Sequence, residues 1–191
     1  MMKKEKRISL DSISEPQDSR SGFDANPAGH MRSAAIRHIG ISRKSSGQVR
    51  QFLNRQFHDA DLVEQTIAAL TDEGYIDDQR VGRRILRDRQ AGKAESKAAI
   101  RNRMVRQGVP DDVAEQLSGE GAEDHDTAAL LVRHKFGRDL EQIEREPIGE
   151  KRRLIMKMNR FLISRGYSPE IVRKTVHNAM NGLNYDDDLL E

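Results

Sequence analysis

The chain has 191 residues, of which 36% are apolar, 34% charged and only 4% aromatic, with no cysteine and no tryptophan. Disulfide frameworks, thiolate metal sites and cysteine nucleophiles are therefore excluded, and so few aromatic residues point away from a β-sandwich and towards an all-α protein with an aliphatic core. Basic residues (33) nearly balance acidic ones (31) for a net charge of +2, so the informative feature is how the charges are sorted. Residues 1–32 are polar, rich in Ser, Asp, Pro and Lys, and lack the apolar stretch of a secretory leader, so they read as a disordered tail. No run approaches the roughly 20 apolar residues that cross a bilayer. The expectation is a soluble, cytoplasmic chain without a membrane partner.

From Ser33 onward, helical periodicity with short breaks predicts nine helices, near 33–43, 46–56, 60–73, 78–90, 96–107, 111–118, 124–137, 149–165 and 169–181. Ser45 or Ser46 is placed to cap the second helix and Asp77 the fourth, because each side chain can accept from a backbone N–H left free in the first turn. Ser168-Pro169 sets a capping hydroxyl before a proline at the first helical position, where a missing N–H costs nothing.

Three segments repeat one pattern: Phe52-Leu53-Asn54-Arg55-Gln56-Phe57, Met104-Val105-Arg106-Gln107-Gly108-Val109 and Leu162-Ile163-Ser164-Arg165-Gly166-Tyr167. Apolar residues close a helix, polar ones follow, then Gly or Gln, then an apolar residue, and another helix begins shortly after. Gly108 and Gly166 suit a left-handed helix terminus, which strains a Cβ, whereas Gln56 suits it less well. A helix-turn-helix hairpin used three times, each preceded by one more helix, predicts a tandem array of three three-helix repeats in an elongated, curved arrangement. The units are expected over 33–74, 75–119 and 120–182, followed by an acidic tail over 183–191.

Charge is distributed in blocks along this array. Gln79 to Gln107 holds ten Lys or Arg against two acids, Gly108 to Leu130 holds seven acids and no Lys or Arg, and Glu150 to Lys174 holds eight basic residues against two acids. Arg80, Arg83, Arg84 and Arg87 fall at i, i+3, i+4 and i+7, one face of a helix, and Arg153, Lys157 and Arg160 form a second such row. Guanidinium groups make paired, charge-assisted bonds to phosphate or carboxylate, so a nucleic acid or an acidic protein surface would satisfy them. Solvated helix faces are the plainer alternative. No phosphate-binding loop, dinucleotide fingerprint or metal-binding spacing of the six histidines appears, and no catalytic role, metal or cofactor is expected.

Leu70-x-x-x-Gly74-Tyr75-Ile76-Asp77-Asp78-x-Arg80, then Ile100-x-x-x-Met104-x-x-x-Gly108-Val109, and Arg160-Phe161-Leu162-Ile163-x-Arg165-Gly166-Tyr167 together resemble the RecX family of recombination regulators over roughly residues 33–182. Val81-Gly82 stand where that family usually carries Phe-Ala. The resemblance implies tandem three-helix units that bind the RecA recombinase filament on single-stranded DNA and restrain its ATPase, strand-exchange and co-protease activities. The contact surface expected on that basis is Arg80, Arg83, Arg84 and Arg87 with Arg101, Arg103 and Arg106, and a second surface is Arg153, Lys157, Arg160 and Arg165. A monomer is expected, since no heptad seam calls for self-association. The rival expectation is a DNA-binding helix-turn-helix built from residues 97–107 and 111–117, although Asp111, Asp112 and Glu115 on its second helix would face phosphates with the wrong sign.

Overall fold

The computed structural model describes residues 26–89, 91–143 and 145–181. Most of the expected N-terminal tail and the expected acidic tail over 183–191 lie outside the described residues. The described residues form nine α-helices: α1 (Pro27–Ile39), α2 (Ser46–Gln56), α3 (Ala60–Asp72), α4 (Asp78–Asp88), α5 (Lys97–Arg106), α6 (Asp111–Gly119), α7 (Asp124–Ile143), α8 (Ile148–Ser164) and α9 (Pro169–Asn181). A single 3-10 turn over Ala91–Lys93 lies between α4 and α5, and there is no strand among them.

Two helices depart from expectation. α1 starts six residues early, inside the segment expected to be tail, and stops at Ile39. The Asn26 side chain accepts from the Gly29 N–H at 2.8 Å and Pro27 occupies the first turn, which is the Ser168-Pro169 signal in another guise. Burial of Met31 anchors this early turn in the core, and Gly40, with φ +50°, ends the helix. α7 runs through Gly137 to a buried Ile143, where a stop at 137 was expected.

The buried apolar side chains gather in three clusters. Met31, Ala35, Val49, Leu53, Val63, Ile67, Leu70 and Ile76 join α1 to α3. Val81, Ile85, Ile100, Met104, Val109, Ala114 and Leu117 join α4 to α6. Leu131, Val132, Phe136, Leu154, Met158, Leu162, Tyr167, Val172 and Val176, among others, join α7 to α9. Each fully buried Leu or Val contributes about 1.5–3 kcal/mol, so each trio of helices carries its own core. Gly82 has a packing role in the second: a Cβ there would sit 2.3 Å from Cδ1 of the buried Leu117, and its absence lets α4 and α6 approach closely.

Successive trios are joined by one repeated device. Ser45 caps α2, accepting from the Gln48 N–H at 3.2 Å, and its hydroxyl donates to the Gln107 carbonyl at 2.6 Å. The Gly47 N–H donates to the Gly108 carbonyl at 3.0 Å, and Asp78 Oδ1 accepts from the Ser46 N–H at 2.9 Å. One trio later, Ser96 caps α5, its hydroxyl donates to the Gly166 carbonyl at 2.7 Å, its N–H donates to the Arg165 carbonyl, and Asp124 Oδ1 accepts from the Lys97 N–H at 2.8 Å. The glycine turn of each trio thus docks on the capped middle helix of the trio before it. Gly108 and Gly166, at φ +78° and +82°, have no room for a Cβ, which would lie 2.7 Å from Ser45 Oγ and 2.7 Å from Ala99 Cβ respectively.

The Gln56 anomaly follows from the same device. Leu53, Met104 and Leu162 are the equivalent fully buried residues, so the first turn is one residue shorter than sequence alignment suggested, and Phe57 itself closes α2 by donating to the Leu53 carbonyl at 2.8 Å. Among the described residues the turn of the first trio docks on no other helix cap, and it carries no glycine. In the last trio, Pro147 occupies the N-cap position of α8 and supplies no side-chain hydrogen bond.

Candidate partner-binding surface

α4 presents its charge as expected. Asp77 caps it by accepting from the Arg80 N–H at 2.8 Å, Val81, Gly82 and Ile85 are buried, and Arg80, Arg83, Arg84 and Arg87 are exposed on the other side. Arg83 approaches Glu120 only at 4.0 Å, and Arg84 donates to the Ser42 carbonyl at 3.4 Å. Among the described residues, Arg80 and Arg87 have no ion pair or side-chain hydrogen bond. Four guanidinium groups with so little local neutralisation are available to an external anion.

The α5 arginines divide differently. Arg103 makes a two-point pair with Glu95, at 3.0 Å from Nε and 2.6 Å from a terminal nitrogen, and Arg89 approaches the same carboxylate at 3.5 Å. Glu95 is only 11% exposed; burial pushes its pKa up, but the hydrogen bond from Arg103 and the charges of Arg103, Arg89 and Arg165 prevail and hold it below the ordinary carboxylate value. Arg165 donates to the Ala94 carbonyl at 2.9 Å and stands over the Phe161 ring at 5.0 Å. Arg101 pairs with Asp111 at 2.6 Å and reaches Glu115 at 3.7 Å. Arg101, Arg103 and Arg165 therefore hold the fold together, while Arg106 remains exposed with only a bond to the Asn102 carbonyl. Arg101 thus pairs with two of the three acids of the would-be recognition helix, Asp111 and Glu115, and leaves Asp112 to oppose phosphate.

On the last trio, Arg153, Lys157 and Arg160 project from α8 as expected, and Arg153 is paired with Glu150 one turn earlier. Lys135, from α7, joins them without any sequence signal: helix packing brings its Nζ to 4.1 Å from the Phe161 ring centroid and 5.7 Å from that of Phe136. These residues, with Met156 and Ser164, line a cleft of about 680 Å³. The contact surfaces expected from the sequence thus fall into one exposed row on α4, a cationic cleft between α7 and α8, two arginines paired inside the second trio, Arg101 and Arg103, and Arg165 at the junction with the third, with Arg106 exposed beside them.

No protein-family model matches the chain. A regulatory protein RecX from Clostridium botulinum (strain Alaska E43 / Type E3) is 31% identical over 156 residues, which is 81% of this chain and 71% of that protein. The chain belongs to the RecX family. A RecX protein from Chromohalobacter salexigens is 30% identical over 78% of this chain and 91% of its own length. The crystal structure of RecX from Lactobacillus salivarius superposes with a TM-score of 0.62 over 80% of this chain and 96% of that one, at 16% identity, so the helical fold is shared where the sequence has drifted far. These relatives are named regulatory proteins, in keeping with a chain that was expected to act by binding. Among the described residues no helix is long and apolar enough to cross a membrane.

Proposed function

We propose that this chain is a cytoplasmic, monomeric regulator that binds the RecA recombinase filament on single-stranded DNA and restrains its ATP hydrolysis, strand exchange and co-protease activity. Membership of the RecX family supports this choice of partner, and the sparsely paired row Arg80, Arg83, Arg84 and Arg87 carries the reading on the side of geometry. Exposed guanidinium groups on a rigid helix suit the phosphates and acidic side chains of a nucleoprotein filament, and each such contact steers and orients association. Successive trios joined turn to cap form a row of helical units, and such rows offer long docking surfaces. The two ends of the array support a monomer: the first trio lacks the glycine turn and α8 lacks the serine cap, so one copy has no means of extending another by the same junction.

Inhibition then needs no covalent step. The protein shifts the filament between states by the difference in its affinity for them, and by no more than that. The deciding measurement is ATP hydrolysis by RecA on single-stranded DNA with the purified chain added well below saturation of the DNA. Slower hydrolysis and shorter filaments are expected; unchanged hydrolysis together with unchanged filament length rejects the reading.

A further inference from the structure

The α7/α8 cleft differs in chemistry from the α4 row. On α4 the apolar side chains Val81 and Ile85 are buried in the core on the face opposite the cations, and Leu86 packs half-buried against the same core. In the cleft, cations and apolar surface lie side by side: Lys135, Lys157 and Arg160 form no ion pair among the described residues, Arg153 stands at the margin with its Glu150 partner, and the floor is Met156, Phe136 and Phe161. Met156 is 59% exposed, one of several large apolar side chains on the surface, and it is set apart by lying among the cations of the cleft. No carboxylate lines the cleft itself; Asp139, Glu146 and Glu150 line the adjoining pocket that shares Arg153 and Lys157, which leaves Lys135 and Arg160 as the cations farthest from acids.

We propose that this cleft docks an acidic protein segment carrying an apolar anchor, such as a leucine, with its carboxylates on Lys135, Lys157 and Arg160 and the anchor on Met156 and the phenylalanine edges. Charge complementarity requires an anionic occupant, and the floor decides between the two anionic polymers. Single-stranded nucleic acid binds such sites by stacking bases on open aromatic faces. Here Phe136 is buried and contacts Phe161 edge to face at 5.6 Å, while the Phe161 ring already carries Lys135 at 4.1 Å and Arg165 at 5.0 Å. What remains open is a thioether and ring edges, which suit an aliphatic side chain. From Arg153 to Ser164 the cleft follows α8 for about 16 Å at 1.5 Å per residue, and at about 3.3 Å per residue this accommodates about five residues of extended peptide. The α4 row is left to phosphate, so the two cationic surfaces divide protein from nucleic acid.

The proposal deepens the reading of the Arg153 to Arg160 row as a contact surface, and the two can fail separately. The full chain, isotopically labelled, is titrated in one arm with a synthetic decapeptide of Asp, Glu and Leu, in a second with the same peptide carrying Ser for every Leu, and in a third with oligothymidylate. The leucine peptide is expected to shift backbone resonances of residues 132–136 and 153–164 saturably, the serine peptide to bind about tenfold more weakly, in line with the loss of a buried anchor, and oligothymidylate to act on residues 80–87 instead. Met156→Asp and the double change Lys157→Glu with Arg160→Glu should each remove the peptide response while leaving the helical circular dichroism unchanged. Equal binding of the two peptides, absence of shifts in the cleft, or shifts there with oligothymidylate alone would overturn the proposal. Retained inhibition of RecA by the wild-type chain in that case would leave the regulator reading standing.

Discussion

The Ser45 hydroxyl donates to the carbonyl of Gln107 at 2.6 Å across 62 residues of chain, and the same oxygen accepts from the N–H of Gln48. One buried serine thus ends a helix of its own trio and holds the turn of the next. Local helix termination and coupling between repeats share one group, which makes their energetics inseparable there and separable elsewhere.

Gly108 and Gly74 allow that separation to be measured. Both have φ near +78°, but a Cβ on Gly108 would meet Ser45 Oγ at 2.7 Å and the Gln48 nitrogen at 2.9 Å, whereas nothing lies within 4 Å of one on Gly74. Gly74→Ala should cost only the left-handed backbone penalty, about 1–2 kcal/mol. Gly108→Ala should cost that plus crowding of about 1–3 kcal/mol, and should broaden urea unfolding as the first two trios uncouple. Equal midpoints for the two variants would show that the junction tolerates displacement.

Ser96→Ala removes the cap of α5 and the donor to the Gly166 carbonyl together. A lost cap costs about 1 kcal/mol and an unpartnered carbonyl about 1 kcal/mol more, so a loss near 2 kcal/mol is expected from chemical denaturation. Ser168→Ala, which deletes only the 3.3 Å acceptance from Ile171 on an exposed turn, should cost less than half of that. If the two serines cost the same, the inter-trio bond contributes nothing.

Much of this was legible beforehand because it is local. The periodicity of the nine helices, the caps at Ser45 and Asp77 and the left-handed turns at Gly108 and Gly166 all depend on residues within one or two turns of each other. α1 was placed late although Asn26-Pro27 carry a cap signal, because the polar residues around them outweighed it and only the burial of Met31 shows that the segment packs. The basic residues were a harder case. Arg83 and Arg103 look alike in sequence, and what separates them is Glu95, eight residues before Arg103 and held beside it by the α5 entry, with Arg89 and Arg165 arriving from other helices. Lys135 carried no signal, since its relation to Lys157 and Arg160 exists only through the packing of α7 on α8.

Glu95 gives a pH dependence with a definite sign. Its pKa in the folded chain lies below the ordinary 4.5, so its ionised form stabilises the fold fully above the unfolded value, and that contribution is lost as pH falls from about 4.5 through the lowered pKa. Glu95→Gln should destabilise by about 1–2 kcal/mol at neutral pH, since Arg103 and Arg89, each about a third exposed and partly screened by water, lose their counter-charge. The gap between variant and wild type should narrow as pH drops below 4.5, read as urea midpoints at a series of pH values. A gap that stays constant to the acid limit would assign the effect to packing and not to the ion pair.

Arg83, Arg84 and Arg87 should contribute to binding and almost nothing to folding. Their contacts within the chain are a 4.0 Å approach to Glu120 and a 3.4 Å bond to the Ser42 carbonyl, and exposed pairs of this kind stabilise by about 0–1 kcal/mol. Alanine is the better helix former, so the triple alanine variant should unfold within about 1 kcal/mol of wild type. Arg103→Ala, one change in place of three, should destabilise more than the triple because it removes both hydrogen bonds to Glu95 and leaves only Arg89, at 3.5 Å, against that carboxylate. Binding should reverse the order: each lost phosphate contact lowers the salt slope for single-stranded nucleic acid by about 0.7, so the triple variant should lose up to about 2 from that slope and most of the proposed restraint on RecA. A folded triple variant that inhibits RecA like wild type would move the contact surface off α4 altogether, leaving the α7/α8 cleft as the main candidate.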